Sequence, residues 1–132
     1  MSSLSDSGVQ QLLDAPNHAV ISTLSPDGAV HSTVVWVSRE DGAVAVNSAV
    51  GRHWPNNLER DPRITLTVYN VENPYEYVEI RGTARQGDKP DEHIDALAKK
   101  YMNADSYPFR QPGEQRVKYL VDPQRVRYVN QG

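Results

Sequence analysis

VNSAVGRHWPNNL, residues 46–58, runs from the end of an apolar strand through a turn of small residues into a helix started by proline. Its spacing gathers Asn47, Ser48, Arg52 and His53 within seven positions. Pro55 pre-sets the backbone angle of a first helical turn and pushes Trp54 toward an extended conformation. Trp54 is therefore expected as the N-cap and Pro55 as the first helical residue. Pro62 stops the helix by about Asp61. The N-terminus of such a helix presents unpaired N–H groups and a partial charge of roughly half an elementary charge, with Arg52 and His53 beside it. A phosphate is the natural occupant. On spacing alone, the same two side chains are as well placed to pair with Asp61 or Glu59 as to hold a ligand.

The flanking sequence decides what carries this turn. Before it, Ser5 or Asp6 can cap a helix with Val9, Leu12 and Leu13 on one face, and Pro16 closes it. HAVISTL, residues 18–24, reads as a buried strand ending at the turn SPDG. Residues 29–38 return as a second strand with both faces expected to be covered: Val30, Val34 and Trp36 with Ser32 on one, Thr33, Val35 and Val37 on the other. REDG, residues 39–42, is the next turn, and residues 43–47 form a third strand leading into the anion site. After the short helix, residues 63–69 alternate Ile64, Leu66 and Val68 against Thr65, Thr67 and Tyr69, the period of a strand with unlike faces. A loop at 70–74 precedes a longer strand, 75–86, which Gly82 interrupts as a bulge or close backbone approach would. Asp88 is expected to cap a helix from about Pro90 to Met102, with Ile94, Leu97, Ala98 and Tyr101 at helical spacing. An irregular segment, 103–113, then leads to two strands, 116–121 and 125–130, on either side of DPQ. Strands in hairpin succession with one late helix predict a mainly β (α+β) fold. That fold is a six- to seven-stranded antiparallel barrel with short flanking helices, a single domain over residues 1–132.

Composition narrows the function. The balance of 14 basic and 17 acidic residues gives a net charge of −3, which offers no field for nucleic acid or an acidic membrane surface. Cysteine is absent, so there are no disulfides, thiol nucleophiles or thiolate metal sites. The opening residues lack a basic segment followed by an apolar run, and no stretch approaches the roughly 20 apolar residues of a membrane span. The expectation is a soluble, cytoplasmic chain. No nucleophile elbow, zinc-binding His-Glu-x-x-His, Walker or Rossmann glycine loop is present. The four histidines, His18, His31, His53 and His93, are scattered, and no metal site is expected. Any redox chemistry would belong to a bound cofactor.

The order of AVISTLSPDGAVHSTVVWV, VNSAVGRHWPNNLERDPRITLTV, EYVEIRGTA and YPFRQPGEQRVKYLVDPQRVRY resembles the pyridoxamine 5′-phosphate oxidase-like split β-barrel family. Within it the likeness is to the flavin/deazaflavin oxidoreductases of the B group, which use coenzyme F420. It spans about Asn17 to Tyr128, with Gly51-Arg52, Asn57-Leu58, Arg60-Asp61-Pro62-Arg63 and the Tyr107–Gly113 loop as its most specific pieces. The resemblance implies a homodimer with a cofactor groove between subunits, and a small conjugated organic molecule as hydride acceptor. Asn47, Ser48 and Ala49 would line the ring and ribityl side, Arg52 and His53 would face the phosphate, and Val34 and Trp36 would form part of the floor. Trp54 and Asn57 complete the expected contacts, and Tyr75 and Arg110 belong to segments that could close the site, from the same or the second subunit. No side chain stands out as an obligatory acid, and Tyr75, Tyr77 and Tyr107 are the candidate proton donors. Many F420-using relatives carry a lysine two residues after the Gly-Arg arginine, where this chain has Trp54. That departure keeps two alternatives open: a flavin mononucleotide (FMN)-dependent oxidase or reductase, and a non-catalytic protein binding F420, flavin or haem.

Overall fold

The computed structural model describes residues 2–131; Met1 and Gly132, the two ends of the expected domain, lie outside the described residues. In chain order the elements are α1 (Ser7–Asp14), β1 (Ala19–Leu24), β2 (Val30–Val35), β3 (Ser38–Glu40), β4 (Ala43–Ala49), α2 (His53–Arg60), β5 (Arg63–Asn70), β6 (Asn73–Gln86), α3 (Pro90–Met102) and β7 (Arg116–Asn130). The strands form one seven-stranded sheet in the order β2-β1-β5-β6-β7-β4-β3. Every pairing is antiparallel. The two edge strands, β2 and β3, are consecutive in sequence and joined only by Trp36 and Val37. That link holds the ends of the sheet together, so the sheet rolls into a split barrel, as the hairpin succession predicts. Alternate residues of the strands fill its inside, among them Ile21, Leu66, Val68, Val78, Ile80 and Val121. The apolar stripe of α1, Val9, Leu12 and Leu13, joins the same core. Among the described residues no helix is long and apolar enough to cross a membrane.

Several local expectations are corrected. The second strand stops at Val35, and Arg39 and Glu40 belong to β3 rather than to a turn. Lys100 Nζ donates to the Val37 carbonyl at 2.6 Å, and the Val37 N–H donates to Tyr101 Oη at 3.2 Å, so α3 satisfies the backbone at the corner. The outer face of β2 is uncovered: Val30 is 67% and Val34 64% exposed, because no layer packs on this edge strand. Helix α2 begins at His53, with Arg52 as an extended N-cap. Pro55 sits in the third helical position, where its missing N–H would have had no intrahelical acceptor, and burial of Trp54 against Tyr119 holds the preceding residue helical. Lys89, in the left-handed region, caps α3 in place of Asp88, because Pro90 takes the first helical position. The expected loop at 70–74 contracts to a turn at Val71 and Glu72, since Asn70 Oδ1 accepts the Glu72 N–H at 2.9 Å.

The two final strands are one. β7 runs beside β6 from Tyr119 opposite Gln86 to Asn130 opposite Glu76, with a register shift at Arg81/Gly82. Gly82 is the close approach its sequence position suggested: a Cβ there would overlap the Asp122 carbonyl oxygen. Pro123 survives within β7 because pairing with β4 ends at Val121, so its absent N–H costs no ladder bond on that side.

Candidate functional site

A groove of about 370 Å³ opens between the β2–β3 corner, the end of β4, the start of α2 and the 103–113 loop. Its aromatic wall is built from α3 outward. Tyr101 stacks on Trp36 with ring centroids 5.2 Å apart and planes 6° from parallel. Tyr107 meets Trp36 edge-on at 6.2 Å, and Phe109 meets Tyr107 edge-on at 5.7 Å. Such packing presents a flat, rigid apolar surface. Tyr101 is fixed by its own hydroxyl, which donates to the Asn17 carbonyl at 2.7 Å, and burial raises its pKa.

The opposite end is cationic. Gly51, at φ +95°, turns the chain out of β4, and the Arg52 N–H donates to the Ala49 carbonyl at 3.2 Å. The amides of His53 and Trp54 then head α2 without intrahelical acceptors, while Pro55 contributes none. The His53 ring stacks on that of His31, centroids 3.8 Å apart, and its Nε2 lies 3.1 Å from Ser25 Oγ. His31 Nδ1 is buried and has no hydrogen-bond partner among the described residues. Arg52, whose side chain is 54% exposed, reaches neither Asp61 nor Glu59. It stands 3.7 Å from Glu114, Asp61 pairs with Arg63, and Glu59 accepts from Tyr119.

Between wall and mouth lies a buried polar network centred on Asn47. Its Oδ1 accepts from Arg116 Nε at 2.9 Å, while its Nδ2 donates to the Pro90 carbonyl at 2.9 Å and to His93 Nδ1 at 3.1 Å. Because a guanidinium only donates, the amide orientation is fixed, and His93 must be neutral with its proton on Nε2, facing Ser38 Oγ at 2.9 Å. Burial, reinforced by the positive charges of Lys118, Arg116 and Lys100, pushes the His93 pKa down to about 4. Arg116 Nη1 donates to Glu114 Oε1 at 2.8 Å, and its guanidinium lies 5.0 Å over the Tyr107 ring. The Glu114 carboxyl is held below its usual range, chiefly by the hydrogen bond from Arg116.

Of the expected site residues, Val34, Trp36, Asn47, Ser48, Arg52, His53 and Trp54 come together around the groove. Val34 is a rim residue and not a floor, for the reason given by its exposure. The Asn47 amide has both donors and its acceptor engaged within the protein, so it orients Arg116. Four expected residues lie outside the groove lining. Ala49 is buried behind the turn. Asn57 ties α2 to β1 through Thr23 Oγ1 at 3.0 Å and accepts from Arg60. Tyr75 stands at the start of β6, 67% exposed. Arg110 bridges Asp91 and Asp95 on α3 at 2.9 and 2.7 Å, and so fastens the loop that carries Tyr107 and Phe109. The sequence reading missed Arg116 and His31. Arg116 enters because β7 pairs with β4 in a register that sets it opposite Ala49, which no local pattern signals.

The lining fits an anion-bearing planar ligand: a flat aromatic face at one end, and at the other a half-exposed guanidinium and two helix amides without intrahelical acceptors. Among solved structures, an F420 reductase superposes with a TM-score of 0.77 at 23% identity, covering 89% of this chain and 94% of the other. A conserved hypothetical protein from Mycobacterium tuberculosis gives 0.76 at 20% identity over 96% and 84% of the two chains. A heme binding protein from Mycobacterium smegmatis gives 0.67 at 19% identity over 94% of this chain and 54% of the other. At these identities the likeness is one of fold. No functionally curated protein matches the sequence. The family model described as pyridoxamine 5′-phosphate oxidase matches residues 6–130, and with the seven-stranded split barrel this assigns the chain to the pyridoxamine 5′-phosphate oxidase-like family.

Proposed function

We propose that this protein is a reductase that binds coenzyme F420 in the groove and transfers hydride to a small, conjugated organic acceptor. The observation that carries the reading is the pairing, within one groove, of the Trp36 wall with the cationic mouth at Arg52 and His53. Membership in the family and a fold shared with an F420 reductase support it. When bound and reduced, F420 supplies the hydride from its central ring. The chain's part is binding and exclusion of water. Trp36, backed by Tyr101, offers a face against which a planar ring packs. Arg52 and the first amides of α2 hold an anionic group on the cofactor tail. Tyr107 and Phe109, on the loop fastened by Arg110, cover the ring end.

A volume of about 370 Å³ is at the small end of the roughly 300–1,000 Å³ of ligand sites, and a second copy of the chain would complete the groove. The uncovered Val30 and Val34 on β2 suit that homodimer contact, and Tyr75 would then reach the neighbouring copy's groove. Equilibrium dialysis against F420 and FMN tests the cofactor, and addition of quinone or enone acceptors to the loaded, reduced protein tests turnover. Preferential binding of F420 and faster loss of its reduced form with acceptor are expected. Preferential binding of FMN would overturn the cofactor assignment, and unaccelerated oxidation would reduce the protein to a carrier.

A further inference from the structure

Arg116 lines the groove although its side chain is only 3% exposed. Three contacts fix the guanidinium there. Nε donates to Asn47 Oδ1 at 2.9 Å, Nη1 donates to Glu114 Oε1 at 2.8 Å, and Cζ lies 5.0 Å from the centre of the Tyr107 ring. The third nitrogen, Nη2, has no hydrogen-bond partner among the described residues. Nor is it sealed, because the one fully buried side-chain nitrogen or oxygen without a partner among those residues is His31 Nδ1. Nη2 therefore keeps its open surface toward the groove, with two N–H donors and no protein acceptor for them. Tyr107 meets Trp36 edge-on at 6.2 Å, so Arg116 belongs to the aromatic side. Glu114, in contact with both guanidiniums, stands between it and Arg52 at the mouth. The charge of Arg116 is thus already met, and what Nη2 adds is a directional donor held in one orientation. Such a donor suits an uncharged carbonyl oxygen on the edge of a planar ring.

We propose that Arg116 Nη2 is the ring-binding donor of this groove: it donates to a carbonyl oxygen on the pyrimidinedione edge of the cofactor whose flat face packs on Trp36. This rests on the reading of the groove as a deazaflavin or flavin site, and it holds for either cofactor, because both carry that edge. A flat wall alone lets a ring slide. One fixed hydrogen bond sets the ring's position along the wall, and so which ring atom faces the acceptor.

Lumiflavin, the bare isoalloxazine ring, isolates this contact from the tail. In equilibrium dialysis against the wild type, one of its 2-thio and 4-thio analogues, in which sulfur replaces a carbonyl oxygen, should bind about 10- to 100-fold more weakly than lumiflavin, the range for a hydrogen bond to a charged group. Arg116→Lys keeps a cation for Glu114, but its single nitrogen cannot occupy the separate positions of the fork. In R116K, lumiflavin, riboflavin and FMN should all lose affinity by that same factor, and the penalty for the thio analogue should disappear. Equal binding of all three rings by the wild type overturns the proposal without any variant. A thio penalty that persists in R116K overturns it, because the bulk of sulfur would then be its cause. A loss confined to FMN also overturns it, because Arg116 would then serve the phosphate. If the wild type retains neither lumiflavin nor F420, the reading of the groove fails and takes the contact with it, whereas retained rings that are indifferent to sulfur and to Arg116 overturn the contact alone.

Discussion

Asn47→Ala tests whether the groove's inner wall is held by the buried network. The Asn47 amide makes three hydrogen bonds: to the Pro90 carbonyl, to His93 Nδ1 and from Arg116 Nε. Neutral bonds of this kind contribute about 1 kcal/mol each, and one to a charged group about 1.5–3 kcal/mol. Asn47, His93 and Arg116 are all buried, so water cannot readily replace the lost amide. The expected loss is roughly 3–5 kcal/mol, or about 10–20 °C in Tm for a domain of this size. Denaturant unfolding of wild type and variant, followed by far-UV circular dichroism, measures it. Asn47→Asp retains the acceptor for Arg116 but neither donor, and should recover only part of the loss. A loss below about 1 kcal/mol for Asn47→Ala would refute the reasoning, because an isolated amide costs that much to remove.

Arg52→Ala should weaken F420 binding by about 1.5–3 kcal/mol, the range for a hydrogen bond to a charged group, with an unaltered circular dichroism spectrum; unchanged affinity in the folded variant removes Arg52 from the anion site. His93 gives a pH signature. Its folded pKa of about 4 lies below the unfolded 6.5, so between those values the unfolded chain binds the extra proton. Stability from His93 is therefore complete above about pH 6.5 and declines as pH falls toward 4, by up to about 1.4 kcal/mol for each pH unit. His93→Gln should flatten unfolding free energy against pH in that window, and an unchanged slope would contradict the buried neutral imidazole.

Elements that rest on local signals are legible in the sequence. The SPDG turn sets the β1–β2 hairpin, Pro90 and the apolar spacing set α3 at Pro90–Met102, and Gly82 announces the bulge. The corner at Trp36–Val37 is not legible, because the backbone partners of Val37, Lys100 and Tyr101, lie 63 and 64 residues downstream. DPQ reads as a break between strands, yet Asp122 remains in β7, paired with Arg85 at 2.8 Å, because Gly82 makes room for it. The site divides the same way. Arg52 and His53 stand at the groove because the strand-turn-helix folds locally, whereas Trp36 is held there by Tyr101 of α3. Arg116 joins them through the β4–β7 register, a choice made by the whole sheet. Asn57 and Arg110 have the residue types of ligand contacts, but neighbouring groups claim them: Thr23 for one, Asp91 and Asp95 for the other.

Trp36 is the most direct witness to the groove. Trp54→Phe keeps an aromatic ring against Tyr119 and leaves Trp36 as the single tryptophan of the chain. Titration of this variant with F420, followed by tryptophan emission, should give saturable quenching at micromolar concentration, because the ring packs on the Trp36 wall. Emission from Trp36 that stays unchanged while dialysis shows F420 bound would contradict the account, since the cofactor would then lie elsewhere.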